Sequence, residues 1–212
     1  MATILCYGDS NTHGTTPLTE LGVFGRYPPD ARWPDVMAAA LGPNHTVIAE
    51  GLPGRTTVHD DLVEGGMRNG LSVLPAILHS HRPIDLMILM LGTNDLKTRF
   101  SVTSFEIARS AERMGRVARS EECVADLMLV APVPVREAGV LKDTFANAEA
   151  RQVGLASHMK DAAGRLDAGF VEAGRHISVS PLDGVHWEAD AHQRFGRVMA
   201  RAVTERLNGA RT

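Results

Sequence analysis

The sequence predicts an α/β protein with a three-layer α/β/α architecture built on a flavodoxin-like, five-stranded parallel sheet. Three observations carry that expectation. Five short apolar, β-rich runs punctuate the chain, stretches of helical period separate them, and three of the runs are almost continuously apolar. Strands buried on both faces of a sheet have that character, whereas half-exposed strands alternate.

The runs cover residues 3–7, 46–49, 86–91, 127–131 and, more weakly, 169–171. The first, third and fourth read as central strands. A helix opens near Pro34, a residue tolerated in a first turn, and runs through Met37 to Leu41. Later stretches each carry one apolar stripe: Ile107, Ala111, Met114 and Ala118; Leu155, Met159, Ala162 and Leu166; Ala191, Phe195, Val198 and Ala202. Returning a chain between parallel strands takes a right-handed crossover, which a helix on one face supplies. Functional groups in such sheets gather beyond the carboxyl ends of the strands, where the strand order reverses. Two irregular segments, 15–32 and 132–144, mix Pro and Gly with apolar Leu21, Phe24, Val133 and Val140. Loops of that length form pocket walls, lids or contact surfaces.

Length and composition bound the partners. The 212 residues fit a single domain over 1–212, long enough to bury roughly 70% of the surface its unfolded form exposes. With 44% hydrophobic and 22% charged residues, the chain has the composition of a soluble globular protein. A net charge of -3 supplies no positive field for a phosphate backbone, so nucleic acid is not an expected partner. The apolar run at 4–7 is too short for a signal-peptide core, and 86–91 falls far short of the ~20 residues of a membrane helix. Two cysteines, Cys6 and Cys123, write neither a disulfide framework nor a four-ligand zinc site, which fits a cytoplasmic protein.

The chemistry-bearing residues follow the strands. Gly8-Asp9-Ser10-Asn11 comes directly after the first, a small-residue turn that lifts a serine hydroxyl out of the sheet edge. Gly51-Leu52-Pro53-Gly54-Arg55-Thr56 follows the second strand and Gly92-Thr93-Asn94-Asp95 the third. A glycine lets its backbone N–H approach a substrate oxygen, and an asparagine amide is a second donor. With the Ser10 N–H they could form an oxyanion hole, although turn and helix-cap roles are the ordinary use of such residues. Before the last helix, Asp183-Gly184-Val185-His186 places a carboxylate and an imidazole three residues apart. An imidazole can take a serine proton and return it to a leaving alcohol, work worth about 100- to 10,000-fold in rate, while the carboxylate fixes its tautomer.

These four blocks, in this order, resemble the successive blocks of the SGNH (GDSL-type) hydrolase family. The resemblance implies Ser10, Gly54, Asn94 and His186 as the four family residues, with Asp183 completing a triad and Ser10, Gly54 and Asn94 forming the oxyanion hole. Gly51 is the alternative donor to Gly54. Residues 4–10, 50–52, 55–57 and 88–95 are similar to the bacterial arylesterase and acyltransferase subgroup, which cleaves short acyl esters through an acyl-serine. That resemblance implies a small-molecule ester substrate, no cofactor, transfer of the acyl group to alcohols or hydrogen peroxide as a side activity, and homo-oligomers up to octamers. The sequence departs from the pattern at Asn11, where the GDSL name has leucine, and at His13 and Thr15, where the subgroup often has aromatic groups. Asn11, Thr93, Val185 and Phe145 are the expected substrate-binding residues, with a short-acyl pocket at Thr93, Val185 and the Pro132 loop. Carbohydrate acetylesterase, lysophospholipase and a catalytically silent binding protein are the alternatives on the same scaffold.

Other motifs weigh against other chemistries. His186-Trp187-Glu188 matches H-x-E, but P-C-x-x-C is missing, and no histidine pair has H-E-x-x-H spacing, so no metal site is expected. G-x-G-x-x-G, the P-loop and the G-x-S-x-G elbow do not occur. Asp9 reads as a structural acceptor that holds the loops, and Arg55 and Lys97 as exposed or loop-bracing, with contact to substrate as the lesser alternative. Trp33, Trp187, Phe24, Phe100 and Phe145 read as core, with some of the set lining a pocket or an oligomer contact.

Overall fold

In the computed structural model, which describes residues 1–209, five parallel strands lie in the order β2-β1-β3-β4-β5. They are β1 (Ala2–Gly8), β2 (His45–Gly51), β3 (Ile84–Met90), β4 (Val124–Ala131) and β5 (Gly169–Glu172). The order is the flavodoxin-like one, and it reverses between β1 and β3. The sheet is packed between helices on both faces, and the pleat decides which residue goes where. Leu5, Tyr7, Met87, Leu89, Leu127 and Leu129 turn to one core, while Ile4, Cys6, Leu86, Ile88, Met128 and Val130 turn to the other. Alternate positions of continuously apolar strands therefore feed two separate layers.

Helices α3 (Gly70–His81), α4 (Ser104–Ser120) and α6 (Leu155–Arg165) cover the first face through Leu74, Leu78, Ile107, Met114, Leu155 and Met159. Helices α2 (Trp33–Leu41) and α7 (Ala189–Gly209) cover the second through Trp33, Met37, Phe195 and Met199. Two one-turn helices, α1 (Ser10–His13) and α5 (Ala148–Arg151), complete the set. Helix α4 begins with a capping box in which Thr103 and Glu106 exchange side-chain to backbone bonds, satisfying N–H groups that the first turn leaves open.

Helix α3 has no counterpart in the sequence reading. Gly70, Ser72 and Pro75 are poor helix formers, and Pro75 lies inside the helix. Burial of Leu74 and Leu78 against β1 and β3 overrides that local preference. Trp33, Trp187 and Phe145 are buried, as core residues should be, whereas Phe24 is exposed. Arg55 and Lys97 are buried, which rules out the exposed reading and leaves loop-bracing or, for Lys97, a place at the cavity. No helix among the described residues is long and apolar enough to cross a membrane.

Candidate active site

The residues singled out after β1, β2 and β3 and before α7 meet at the carboxyl edge of the sheet, beside the point where strand order reverses. Ser10 opens α1 with only Asp9 between it and the end of β1. The Asp9 carboxylate accepts the Asn11 N–H at 3.0 Å and so caps this turn. Gly51 explains how the turn sits so low on the sheet. A β-carbon there would lie 2.2 Å from the His13 nitrogen, so this glycine is needed for the close approach of α1 to β2. Gly54, and not Gly51, lines the cavity at the sheet edge.

Ser10 Oγ lies 3.1 Å from His186 Nε2, and His186 Nδ1 lies 2.6 Å from Asp183 Oδ2. Asp183 is fully buried and accepts four hydrogen bonds: the ring N–H and backbone N–H of His186 and the backbone N–H groups of Leu18 and Val185. Burial by itself would raise its pKa, but the His186 ring and these N–H donors outweigh it and hold the carboxyl below the usual range. An ionised carboxylate only accepts, so the proton of the neutral imidazole sits on Nδ1. Nε2 then offers its lone pair to the Ser10 hydroxyl. Leu18, whose N–H braces Asp183 at 2.7 Å, belongs to the irregular segment 15–32. A backbone donor carries no side-chain signature, so no sequence signal marks it.

The loop bearing His186 depends on Gly184, which has φ 73°. A β-carbon there would lie 2.0 Å from the Arg136 carbonyl oxygen, and the Arg136 N–H donates back to the Gly184 carbonyl at 2.8 Å. Segment 132–144 thus holds the triad loop from outside.

Ser10, Gly54 and Asn94 all line one cavity. Among the described residues none accepts from the backbone N–H of Ser10 or of Gly54. The Asn94 amide spends one N–H on the Arg55 carbonyl at 3.1 Å, and its second N–H remains for a ligand. Buried Arg55 in turn donates to the carbonyls of Gly8 and Glu50 and lies 4.1 Å over the Tyr7 ring. Asp95 accepts from the backbone and hydroxyl of Thr57. The loops after β1, β2 and β3 are therefore tied together behind the cavity. Asp9, fully buried, is pushed up to about 6 by burial, against the Asn11 N–H, His186, the Thr93 hydroxyl and Arg55. His192 packs between Tyr27 and Trp187 and is pulled down to about 4 by burial and by His186.

The cavity measures about 300 Å³. Its apolar wall comes from Leu18, Leu21, Phe24, Leu141, Phe145 and Val185, and its polar rim includes Glu64, Arg68 and Lys97. Of the four residues expected to bind substrate, Val185 and Phe145 line the cavity. Asn11 and Thr93 do not: Asn11 Nδ2 donates to the Val185 carbonyl at 3.2 Å, Thr93 bonds Asp9, and neither lines the cavity. Pro132 is likewise outside it. Asn11 thereby joins the nucleophile turn to the His186 loop, and Thr93 joins the loop after β3 to Asp9. Glu64 and Arg68 carry no sequence signal, because they lie in a loop stretch with no motif. A larger hollow of about 900 Å³ opens at the opposite end of the sheet, near Ala2, Asp85 and Gly169. Its described lining residues include no serine or histidine, so the chemistry belongs to the smaller cavity.

Comparison with known proteins agrees with this geometry. Residues 6–194 match the model of the GDSL-like Lipase/Acylhydrolase family. A carbohydrate acetylesterase from Sinorhizobium meliloti is similar in structure, with 34% identity and a TM-score of 0.91 over 97% of this chain and 99% of that one. The native aryl esterase of M. smegmatis is 32% identical with a TM-score of 0.89 over 97% and 99% of the two chains. No curated protein sequence matches the chain. With the family model spanning most of its length and these esterases sharing its sheet and its surrounding helices, the chain belongs to the GDSL-like lipase/acylhydrolase family, the SGNH hydrolases, and is a carboxylic ester hydrolase.

Proposed function

We propose that the protein hydrolyses short-chain acyl esters of aryl or alkyl alcohols through an acyl-Ser10 intermediate. The observation that carries the reading is the unbroken chain of bonds from Asp183 through His186 to the Ser10 hydroxyl. Ser10 Oγ attacks the ester carbonyl while His186 Nε2 takes its proton, and the oxyanion is held by the Ser10 and Gly54 N–H groups and the Asn94 amide. As the tetrahedral centre collapses, the carbon–oxygen bond to the alcohol breaks and His186 protonates the departing oxygen. Water then attacks the acyl-serine by the same route and releases the acid.

A cavity of about 300 Å³ stands at the lower end of ligand-site volumes, which favours small acyl groups. Hydrolysis of 4-nitrophenyl esters from acetate to decanoate tests this: kcat/KM should be highest between acetate and butyrate. A maximum at octanoate or beyond would overturn the short-chain reading.

Carbohydrate deacetylation is the second reading, favoured by the similarity to the Sinorhizobium meliloti enzyme. Comparing an aryl acetate with acetylated sugars separates the two. Acyl transfer to an added alcohol is a proposed side activity, read from ester product formed at the expense of free acid. We further propose a homo-oligomer, supported by Leu21, Val23, Phe24, Leu62, Val63 and Met67, which are exposed on the two loops beside the cavity; light scattering in solution tests it. A cytoplasmic location is proposed from Cys6 and Cys123, both free and buried.

A further inference from the structure

The rim of the cavity carries an unequal set of charges. Lys97 Nζ contacts Asp61 at 3.0 Å and Glu64 at 2.7 Å, and Arg99 contacts Asp61 at 2.7 Å and Glu64 at 3.6 Å. Two acids and two bases cancel within that tetrad. Arg68 stands beside it, lining the cavity with Ser10, Gly54 and His186, and has no ion pair with any described residue. Its Nε is buried and bonds nothing. It also lies close to the oxyanion loop: a β-carbon on Gly54 would be 3.1 Å from that Nε.

A guanidinium that is half-buried, unpaired and turned toward a ligand cavity is an open donor site for a planar anion. Surface arginines are commonly unpaired at no cost, because water solvates them. Here water does not reach Nε, so the half-buried guanidinium is only partly solvated, and a carboxylate in the cavity would pair with the part of it that lines the wall.

We propose that Arg68 is a specificity-determining residue that selects esters carrying a carboxylate, such as half-esters of dicarboxylic acids or esters of hydroxy acids. The proposal rests on the esterase reading of the same site. Glu64 spends Oε1 on Lys97 and Arg99; its Oε2, 3.2 Å from the same β-carbon position on Gly54, is the neighbouring charge that a bound carboxylate has to outcompete.

The test compares matched pairs of esters. 4-Nitrophenyl hemisuccinate against 4-nitrophenyl butyrate places the charge on the acyl side, and 4-acetoxybenzoate against its methyl ester places it on the alcohol side. For the native protein and Arg68→Gln, the readout is the ratio of kcat/KM for the charged ester to that for its neutral match. In at least one pair that ratio should fall about tenfold or more in Arg68→Gln, the size of a charge-assisted hydrogen bond. Arg68→Lys should recover part of it, and raising salt should shrink the native ratio. The pair that responds identifies which side of the ester bears the anion. A ratio that stays the same in both pairs while overall rates drop would show a merely structural role and overturn the proposal. If the native protein cleaved none of the four esters, the reading of the site itself would fail, and this proposal with it.

Discussion

Ser10 and His186 are separated by 176 positions in the chain, yet their Oγ and Nε2 atoms lie 3.1 Å apart. The sheet makes that meeting possible, because β1 delivers the serine and the turn before α7 delivers the imidazole to one edge. Removing the hydroxyl should remove the reaction. Ser10→Ala is expected to lower kcat by about a million-fold while leaving the urea midpoint nearly unchanged, measured by paired activity and unfolding assays.

Asn94 lines the same cavity, and its amide donates to the Arg55 carbonyl. Asn94→Ala should cost about 3 to 4 kcal/mol of transition-state stabilisation, or a 100- to 1,000-fold loss in kcat with a smaller change in KM. A rate within a factor of three of the native one would remove Asn94 from the oxyanion hole.

Asp183 orients His186 by accepting from its ring, and it also accepts three backbone N–H groups. Asp183→Asn reverses the preference for a proton on Nδ1, so kcat should fall by about 10,000-fold. Because an amide can serve fewer of those donors, the unfolding midpoint should fall as well. Loss of activity and loss of stability thus appear together here and separately in Ser10→Ala.

Gly184→Ala tests the loop rather than the chemistry. A methyl group 2.0 Å from the Arg136 carbonyl oxygen, at φ 73°, should cost about 2 kcal/mol or more and displace His186. Both the urea midpoint and kcat should drop, although no reacting group has changed.

Acid should expose a different set of groups. Fully buried Glu112 would be raised by its burial, but bonds from Arg165 and Arg116 and the charge of Arg109 bring it down to about 2. Asp61 is likewise near 2, where Lys97, the Glu64 N–H and Arg99 outweigh burial. Carboxyls depressed in the folded state stabilise it above their unfolded pKa, and that contribution is lost as pH falls from about 4.5 toward 2. Asp9, raised to about 6, acts oppositely: its contribution is present below about 4 and fades as pH rises through 6. The stability gap between the native protein and Glu112→Gln, followed by urea unfolding, should be widest above pH 5 and close near pH 2. A gap independent of pH would contradict the role given to the arginines.

Much of this was legible in the sequence because the signals were local. Continuous apolar runs gave the central strands, and Gly-Asp-Ser, Gly-Thr-Asn-Asp and Asp-Gly-Val-His gave the residues at the strand ends. Helix α3 was hidden because Gly70, Ser72 and Pro75 argue against a helix that packing of Leu74 and Leu78 nonetheless supports. The cavity lining was only half legible. Val185 and Phe145 could be placed there, but Asn11 and Thr93 turn away to brace neighbouring loops, and side-chain direction after a strand is set by tertiary contacts. The Leu18 N–H and Arg68 left no trace, one being backbone and the other lying in a loop without a motif.

The most direct measurement is mass spectrometry of the protein after treatment with an organophosphonate. The expected result is one adduct per chain, located on Ser10, absent in Ser10→Ala and formed far more slowly in His186→Ala. An unlabelled protein, or a phosphonate found on another residue, would contradict the account.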